Sequence, residues 1–341
     1  MTTVLESLNR GLMAAMEADE RVYVLGEDVL DPYGGAFKVT RGLSSAYPNR
    51  VITTPVSEAG IVGLATGMAL SGLRPVVEIM FGDFVTLIAD QVINGLSKFS
   101  WMYGGTLDIP MVIRTPMGGR RGYGPTHSQT LEKLFLGVPG LRVVAPSIFA
   151  DAGGLMFNAI QDPGPVLFVE NKLQYQRRID DPALSALERR AQPQDGYATA
   201  TTVTVSGAPQ PLITIAAYGD MAERAAEALV RMAYEQEIFG ELVVLEQLDP
   251  LGPGRELPTA LADSLRHTRR LLTVEEGTHT HGWGAEVIAR ASESTTDRVA
   301  FGRVTALDLP IPAARTLEET VLPDVDAIVV AAQKLLGDLD G

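Results

Sequence analysis

Glu58 lies in Thr54-Pro55-Val56-Ser57-Glu58-Ala59-Gly60, between a proline turn and the glycine-rich apolar run 60–69. That local pattern puts a lone carboxylate in the first turn of a helix, where the helix dipole favours an acid without any chemistry following. Desolvated at such a place, the same group becomes a proton-transfer residue. His127 ends Gly118-Gly119-Arg120-Arg121-Gly122-Tyr123-Gly124-Pro125-Thr126-His127. Histidine titrates near neutral pH, yet a loop histidine is ordinarily a polar surface residue. The glycines and the arginine pair suggest a phosphate loop, but the glycine-lysine-serine/threonine ending is missing, so the segment reads as a mobile rim. His279 and His281 share a face only if their segment is extended, and no third ligand is evident nearby, which favours a surface loop over a metal site.

The elements that must hold these groups alternate in kind. Val4, Leu5, Leu8, Leu12 and Met13 recur at helical spacing within 3–16, and short β-branched runs follow at 22–25, 51–52, 76–79, 111–114 and 141–145. Residues 84–99 read as a helix between two of them. Strands separated by helices predict an α/β chain with parallel, doubly wound sheets. A second rhythm starts at the strand 212–216. It continues with helix 221–234, strands near 242–245 and 270–274, helix 283–292 and a last helix over about 324–336. The stretch 180–211 is polar and nearly aperiodic. The expected division is therefore 1–182, a linker at 183–210, and 211–341.

Composition narrows the class. A formal charge of −14 argues against nucleic acid or an anionic membrane as a general partner. With 0 cysteines there are no disulfides or thiolate metal sites, which suits a reducing cytoplasm without requiring it. No apolar run reaches membrane-spanning length and no charged-then-apolar leader precedes Asn9. A soluble, cytoplasmic protein is expected.

Longer runs carry a resemblance. They include Val24-Leu25-Gly26-Glu27-Asp28-Val29, Gly34-Gly35-Ala36-Phe37-Lys38-Val39-Thr40-Arg41-Gly42-Leu43 and the Glu58 segment. Gly72-Leu73-Arg74-Pro75-Val76-Val77-Glu78-Ile79-Met80-Phe81-Gly82-Asp83-Phe84 and Ala89-Asp90-Gln91-Val92-Ile93-Asn94 follow, then the His127 segment, Val143-Val144-Ala145-Pro146-Ser147 and Glu170-Asn171-Lys172-Leu173. In this order, across most of the chain, they resemble the beta subunit of the thiamine-diphosphate-dependent first component of 2-oxo acid dehydrogenase complexes. The pyruvate, branched-chain and acetoin enzymes belong to that transketolase-like family. The second half departs from its pattern at 197–202 and at Glu246, where an arginine is common.

The resemblance implies a pyrimidine-binding domain followed by a transketolase-C-terminal-like domain. Glu58 is the carboxylate that promotes the imino tautomer of the cofactor's aminopyrimidine, with Phe84 against that ring and Val56 and Met80 lining the pocket. His127 faces the thiazolium side and assists acyl transfer to a lipoyl group on an acyltransferase core. A turn at 159–165 matches one whose carbonyls, from Met111, Ala159, Ile160, Asp162 and Gly164, hold a monovalent cation such as potassium; a plain helix-ending turn fits the residues equally well. No glycine-aspartate-glycine run with a following asparagine occurs; Gly82-Asp83, Gly219-Asp220 and Gly337-Asp338 do not fit. The diphosphate and its magnesium are therefore expected on an alpha subunit, in an α2β2 heterotetramer, with a 2-oxo acid as substrate. Two alternatives stand: half of a split transketolase-like or acyloin-forming carboligase that uses an aldehyde acceptor, and a non-catalytic scaffold subunit.

Overall fold

A computed structural model describes residues 2–179, 181, 184–249 and 257–337. The Pro250-Leu251 end of one motif and Asp338-Leu339 of another lie outside them. The first sheet holds β1 (Val22–Gly26), β2 (Val51–Thr53), β3 (Arg74–Glu78), β4 (Met111–Met117), β5 (Arg142–Val144) and β6 (Pro165–Asn171). All pairs in it are parallel, in the order β2-β1-β3-β4-β6-β5. The second holds β7 (Leu187–Asp195), β8 (Ala198–Val205), β9 (Ile213–Ala217), β10 (Gly240–Leu245), β11 (Arg270–Thr278) and β12 (Ala300–Ala306). Its order is β12-β11-β9-β10-β8-β7, parallel except at the two pairs that involve β8.

The helices are α1 (Val4–Ala18), α2 (Leu43–Ala46), α3 (Glu58–Leu70), α4 (Phe99–Met102), α5 (Ala152–Gln161), α6 (Gly219–Gln236), α7 (Thr259–Thr268), α8 (Trp283–Glu293), α9 (Arg315–Val321) and α10 (Val325–Gly337). None among the described residues is long and apolar enough to cross a membrane. A capping box starts α1: Glu6 N–H donates to Thr3 Oγ1 at 3.2 Å and Thr3 N–H to Glu6 Oε2 at 2.9 Å. Alternate strand residues feed two apolar clusters. Val24, Val76, Val112 and Ile215 face one, with α1, α5, α6 and α10. Leu25, Val77, Ile113 and Ala216 face the other, with α3, α7 and α8. Each cluster runs through both sheets, so the two halves share their cores.

Two expectations need correction. The linker at 183–210 carries β7 and β8, an antiparallel hairpin built into the second sheet. As an edge strand β7 is held by backbone bonds, so its polar sequence with Pro193 shows no alternation to read. The helix expected over 84–99 is instead a 3-10 turn at Gly82–Ile88, a π-helical turn at Gln91–Leu96, and α4. The first turn lies close against β4, since a Cβ on Gly82 would lie 2.2 Å from Met117 Cγ.

The halves are joined by backbone. Ala145 N–H donates to Glu246 O at 2.7 Å and Leu248 N–H to Val143 O at 2.9 Å, so the chain after β10 covers the free edge of β5. The two departures from the family pattern meet here. Glu246 is buried and accepts from Thr199 N–H at 2.7 Å and Thr199 Oγ1–H at 2.5 Å. Burial pushes its carboxyl up to about 7, against the opposing pull of Thr199.

Two tests follow from this packing. Gly11 and Gly153 let α1 and α5 touch by backbone, since a Cβ on Gly11 would sit 2.3 Å from Gly153 O. Gly11→Ala should cost about 1–3 kcal/mol by overpacking, despite alanine's better helix propensity. Urea unfolding reads this as a lower midpoint at unchanged slope; an unchanged midpoint would refute the close crossing. For Glu246 the folded pKa of about 7 exceeds the reference 4.5, so its stabilising share is complete below about 4.5 and lost as pH rises through about 7. Glu246→Gln should flatten that decline in a stability–pH series, and a slope identical to the parent's would sink the assignment.

Candidate active site

The residues proposed around the thiamine ring leave the carboxyl ends of parallel strands. Glu27 follows β1, Glu58 follows β2, Met80 to Phe84 follow β3, and the rim segment with His127 follows β4. Because β1 lies between β2 and β3, the chain steps to one side of β1 and then crosses back, which opens a crevice at the reversal. Glu58 is the first residue of α3 and is buried, and no described side chain or backbone group donates a hydrogen bond to its carboxylate. Glu27 sits close enough to feel its charge: burial raises the Glu27 pKa, and Glu58 raises it further. Two acids therefore meet at the crevice.

Phe84 and His127 come into direct contact. Their rings meet edge-on at 5.3 Å, and Phe81 lies 4.9 Å from His127 and 5.9 Å from Phe84. Phe37 and Tyr123 complete the group at 5.7 and 5.9 Å from Phe81. Behind it Lys172 is fully buried, donates from Nζ to His127 O at 2.6 Å, and lies 5.2 Å from the Phe81 ring. Burial lowers its pKa to about 8, although Asp83 and Glu276 pull the other way. The turn that carries Phe84 packs on α3 and so joins the aromatic group to the helix that Glu58 begins. Met80 is half-buried, whereas Val56 stands out at 80% exposure. Sequence reasoning missed Glu27, Phe37, Phe81, Tyr123 and Lys172. All lie in the runs quoted above, but only the tertiary contacts distinguish them from their neighbours.

The turn proposed for a monovalent cation lies at the other end of the sheet. Met111 begins β4 and pairs with Pro165, while Ala159 and Ile160 end α5. Arg74 donates there from Nη1 to Ile160 O at 2.8 Å and to Asp162 O at 3.3 Å. Gly164 N–H and Arg142 Nε occupy the two Asp162 carboxylate oxygens, at 2.9 and 3.0 Å. An added ion would share two of its five carbonyls with a guanidinium, and it would sit far from Glu58. His279 is engaged with Thr305 and Arg303, and no described group of three ligand-type residues could hold a metal. Asp83 and Asp220 also have protein partners, Gln129 and Arg224.

Comparison with known proteins gives the family. Residues 2–178 match the model of the transketolase pyrimidine-binding domain, and residues 204–328 that of the transketolase C-terminal domain. The mitochondrial pyruvate dehydrogenase E1 component subunit beta-1 of Arabidopsis thaliana is 36% identical over 335 residues, 97% of this chain and 88% of that protein. The corresponding mitochondrial subunit beta of Drosophila melanogaster is 37% identical over 340 residues, covering 98% and 89%. That of Bos taurus is 36% identical over 339 residues, covering 98% and 90%. These relatives are mitochondrial and lend no support to a cytoplasmic location. Among solved structures, a split-gene transketolase described as an inactive beta4 tetramer superposes with a TM-score of 0.72 at 20% identity, covering 98% of both chains, which bears on the fold alone. Sequence identity at this level over nearly the whole chain, with both domains matched, places the chain in the family of thiamine-diphosphate-dependent E1 beta subunits of 2-oxo acid dehydrogenases.

Proposed function

We propose that this chain is the pyrimidine-binding half of a 2-oxo acid dehydrogenase decarboxylase, active only with an alpha subunit, and that it passes an acyl group to a lipoyl acyltransferase. The observation that carries this reading is Glu58: a buried carboxylate with no hydrogen-bond donor among the described residues, at the first turn of α3 beside the strand-order reversal. A desolvated acid left without a partner suits a ligand that brings its own ring nitrogen. Thiamine diphosphate, when bound, supplies the electron sink for cleavage of the 2-oxo acid's carboxyl group.

The chain's own residues have narrower tasks. Glu58 holds a proton against the pyrimidine nitrogen, and its place on a rigid helix start keeps that contact from drifting. Phe84 and Phe81 form an apolar wall that excludes water. His127, wedged edge-on between those rings and anchored through its carbonyl by Lys172, delivers a proton to the sulfur released when the lipoyl disulfide opens.

An alpha subunit is supported by a face that this chain leaves bare. Along α3, Gly60, Gly63, Leu64, Gly67 and Leu70 are exposed, Leu64 at 57% and Leu70 at 42%, and added Cβ atoms at Gly63 and Gly67 would meet nothing. A helix apolar on every side is ordinarily covered. A partner helix there would bring the diphosphate and magnesium site that this sequence lacks, in an α2β2 assembly.

The test uses this chain co-expressed with its alpha subunit, thiamine diphosphate, magnesium, a 2-oxo acid series and a dye acceptor. Turnover should need both chains, and Glu58→Gln should lower it by at least ~10²–10⁴-fold. His127→Ala should spare dye reduction while slowing transfer to a lipoyl domain by about 10²-fold. Full activity in Glu58→Gln would overturn the assignment. Transfer to an aldehyde in preference to a lipoyl domain would point to the carboligase.

A further inference from the structure

The rim segment is held by acids that belong to the other domain. Its two feet meet where Gly118 N–H approaches Gln129 O at 3.4 Å. A single carboxylate oxygen, Glu276 Oε1 on β11, then accepts from Gly119 N–H at 2.6 Å on one foot and from Thr130 Oγ1–H at 3.4 Å on the other. Beside it Glu318 Oε1 on α9 accepts from Arg120 N–H at 2.7 Å. Both acids are almost completely buried. Space is as tight as the bonding: a Cβ on Gly118 would lie 3.3 Å from Glu276 Oε1 and one on Gly119 would lie 3.2 Å from Glu318 Oε1. Beyond these anchors Arg121, Tyr123, Pro125 and Thr126 are exposed; Arg121 Nη1 makes a long 3.4 Å bond to Lys172 O, and the chain is caught more firmly at His127 O and Gln129.

We propose that Glu276 is a positioning residue for His127, clasping both feet of the rim segment so that the second domain sets where the imidazole stands. Closing a loop at its feet removes most of its conformational freedom while leaving the tip free. A charge-assisted, buried hydrogen bond to backbone N–H is the strong kind for this purpose. Glu318 reinforces the first foot. The second domain therefore has a share in the reaction rim as well as in any docking surface. The expected effect on transfer rests on the proton-delivery reading of His127 given above; the effect on loop order does not.

The experiment compares Glu276→Ala and Glu276→Gln in the complex with the alpha subunit. Tryptic cleavage after Arg121 reports loop order, and paired assays with dye or lipoyl domain report function. Glu276→Ala should speed cleavage about tenfold and lower kcat for lipoyl transfer about tenfold, the scale of one buried hydrogen bond to a charged group, with KM for the 2-oxo acid unchanged. Glu276→Gln keeps an oxygen for Gly119 N–H and should restore both to within about threefold. Unchanged cleavage in the alanine variant, failure of glutamine to rescue, or equal losses with dye and lipoyl acceptors would each overturn the proposal. A His127→Ala control that transfers normally would defeat the proton-delivery reading instead, and the cleavage rates would still decide the clasp.

Discussion

The aromatic side of the crevice stands on a buried ion group in the first sheet. Arg114 on β4 donates from Nε to Glu170 Oε1 at 2.7 Å and from Nη2 to Glu170 Oε2 at 2.5 Å, while Nη1 pairs with Glu78. Tyr175 O–H adds a bond to Glu170 Oε2 at 2.6 Å. Burial opposes the arginine's charge, but Glu170 and Glu78 outweigh it and raise its pKa. Glu78 ends β3 just before Met80 and Phe84, Arg114 precedes the rim segment, and Glu170 precedes Lys172. One guanidinium thus ties together the three strand ends that deliver Phe84, His127 and Lys172. Removing one member of such a group leaves an uncompensated buried charge, typically at about 3–5 kcal/mol. Gly35 fits against the same cluster, where a Cβ would lie 2.6 Å from Glu78 Oε1.

The second domain acts on this frame at two places. At the edge of the sheet, the segment after β10 pairs with β5 and closes an exposed row of backbone groups. At the carboxyl ends, Glu276 and Glu318 reach the rim segment. The two apolar clusters that cross the boundary make the arrangement stiff, because neither half can shift without opening both cores. The departures at Thr199 and Glu246 bond to each other.

Much of the candidate site was legible because its residues sit in long ordered runs. Glu58, Phe84 and His127 were named from those runs, and the structure brings Phe84 against His127 and joins them to the helix that Glu58 starts. Val56 was named by the same reasoning and stands at the surface. Lys172 was illegible in a different way. A lysine is usually solvated, and only burial behind Phe81 shows that this one supports His127. The turn at 159–165 fitted a cation site and a plain helix-ending turn equally well by sequence, and only the structure shows that Arg74, distant in sequence, donates to two of its carbonyls.

By itself the sequence determined the α/β class, the two domains' order and the helix start at Glu58, since these follow from local periodicity, capping and contiguous motifs. Tertiary structure alone decided the rest. β7 is a strand because β8 offers it backbone partners, and its polar residues encode no such preference. The region 82–102 is a series of short turns, the first packed so closely on β4 that Gly82 passes against Met117. Glu276 reaches Gly119 across 157 positions of chain. Such contacts depend on which strands lie side by side, and strand order is a global outcome of packing that no local pattern records.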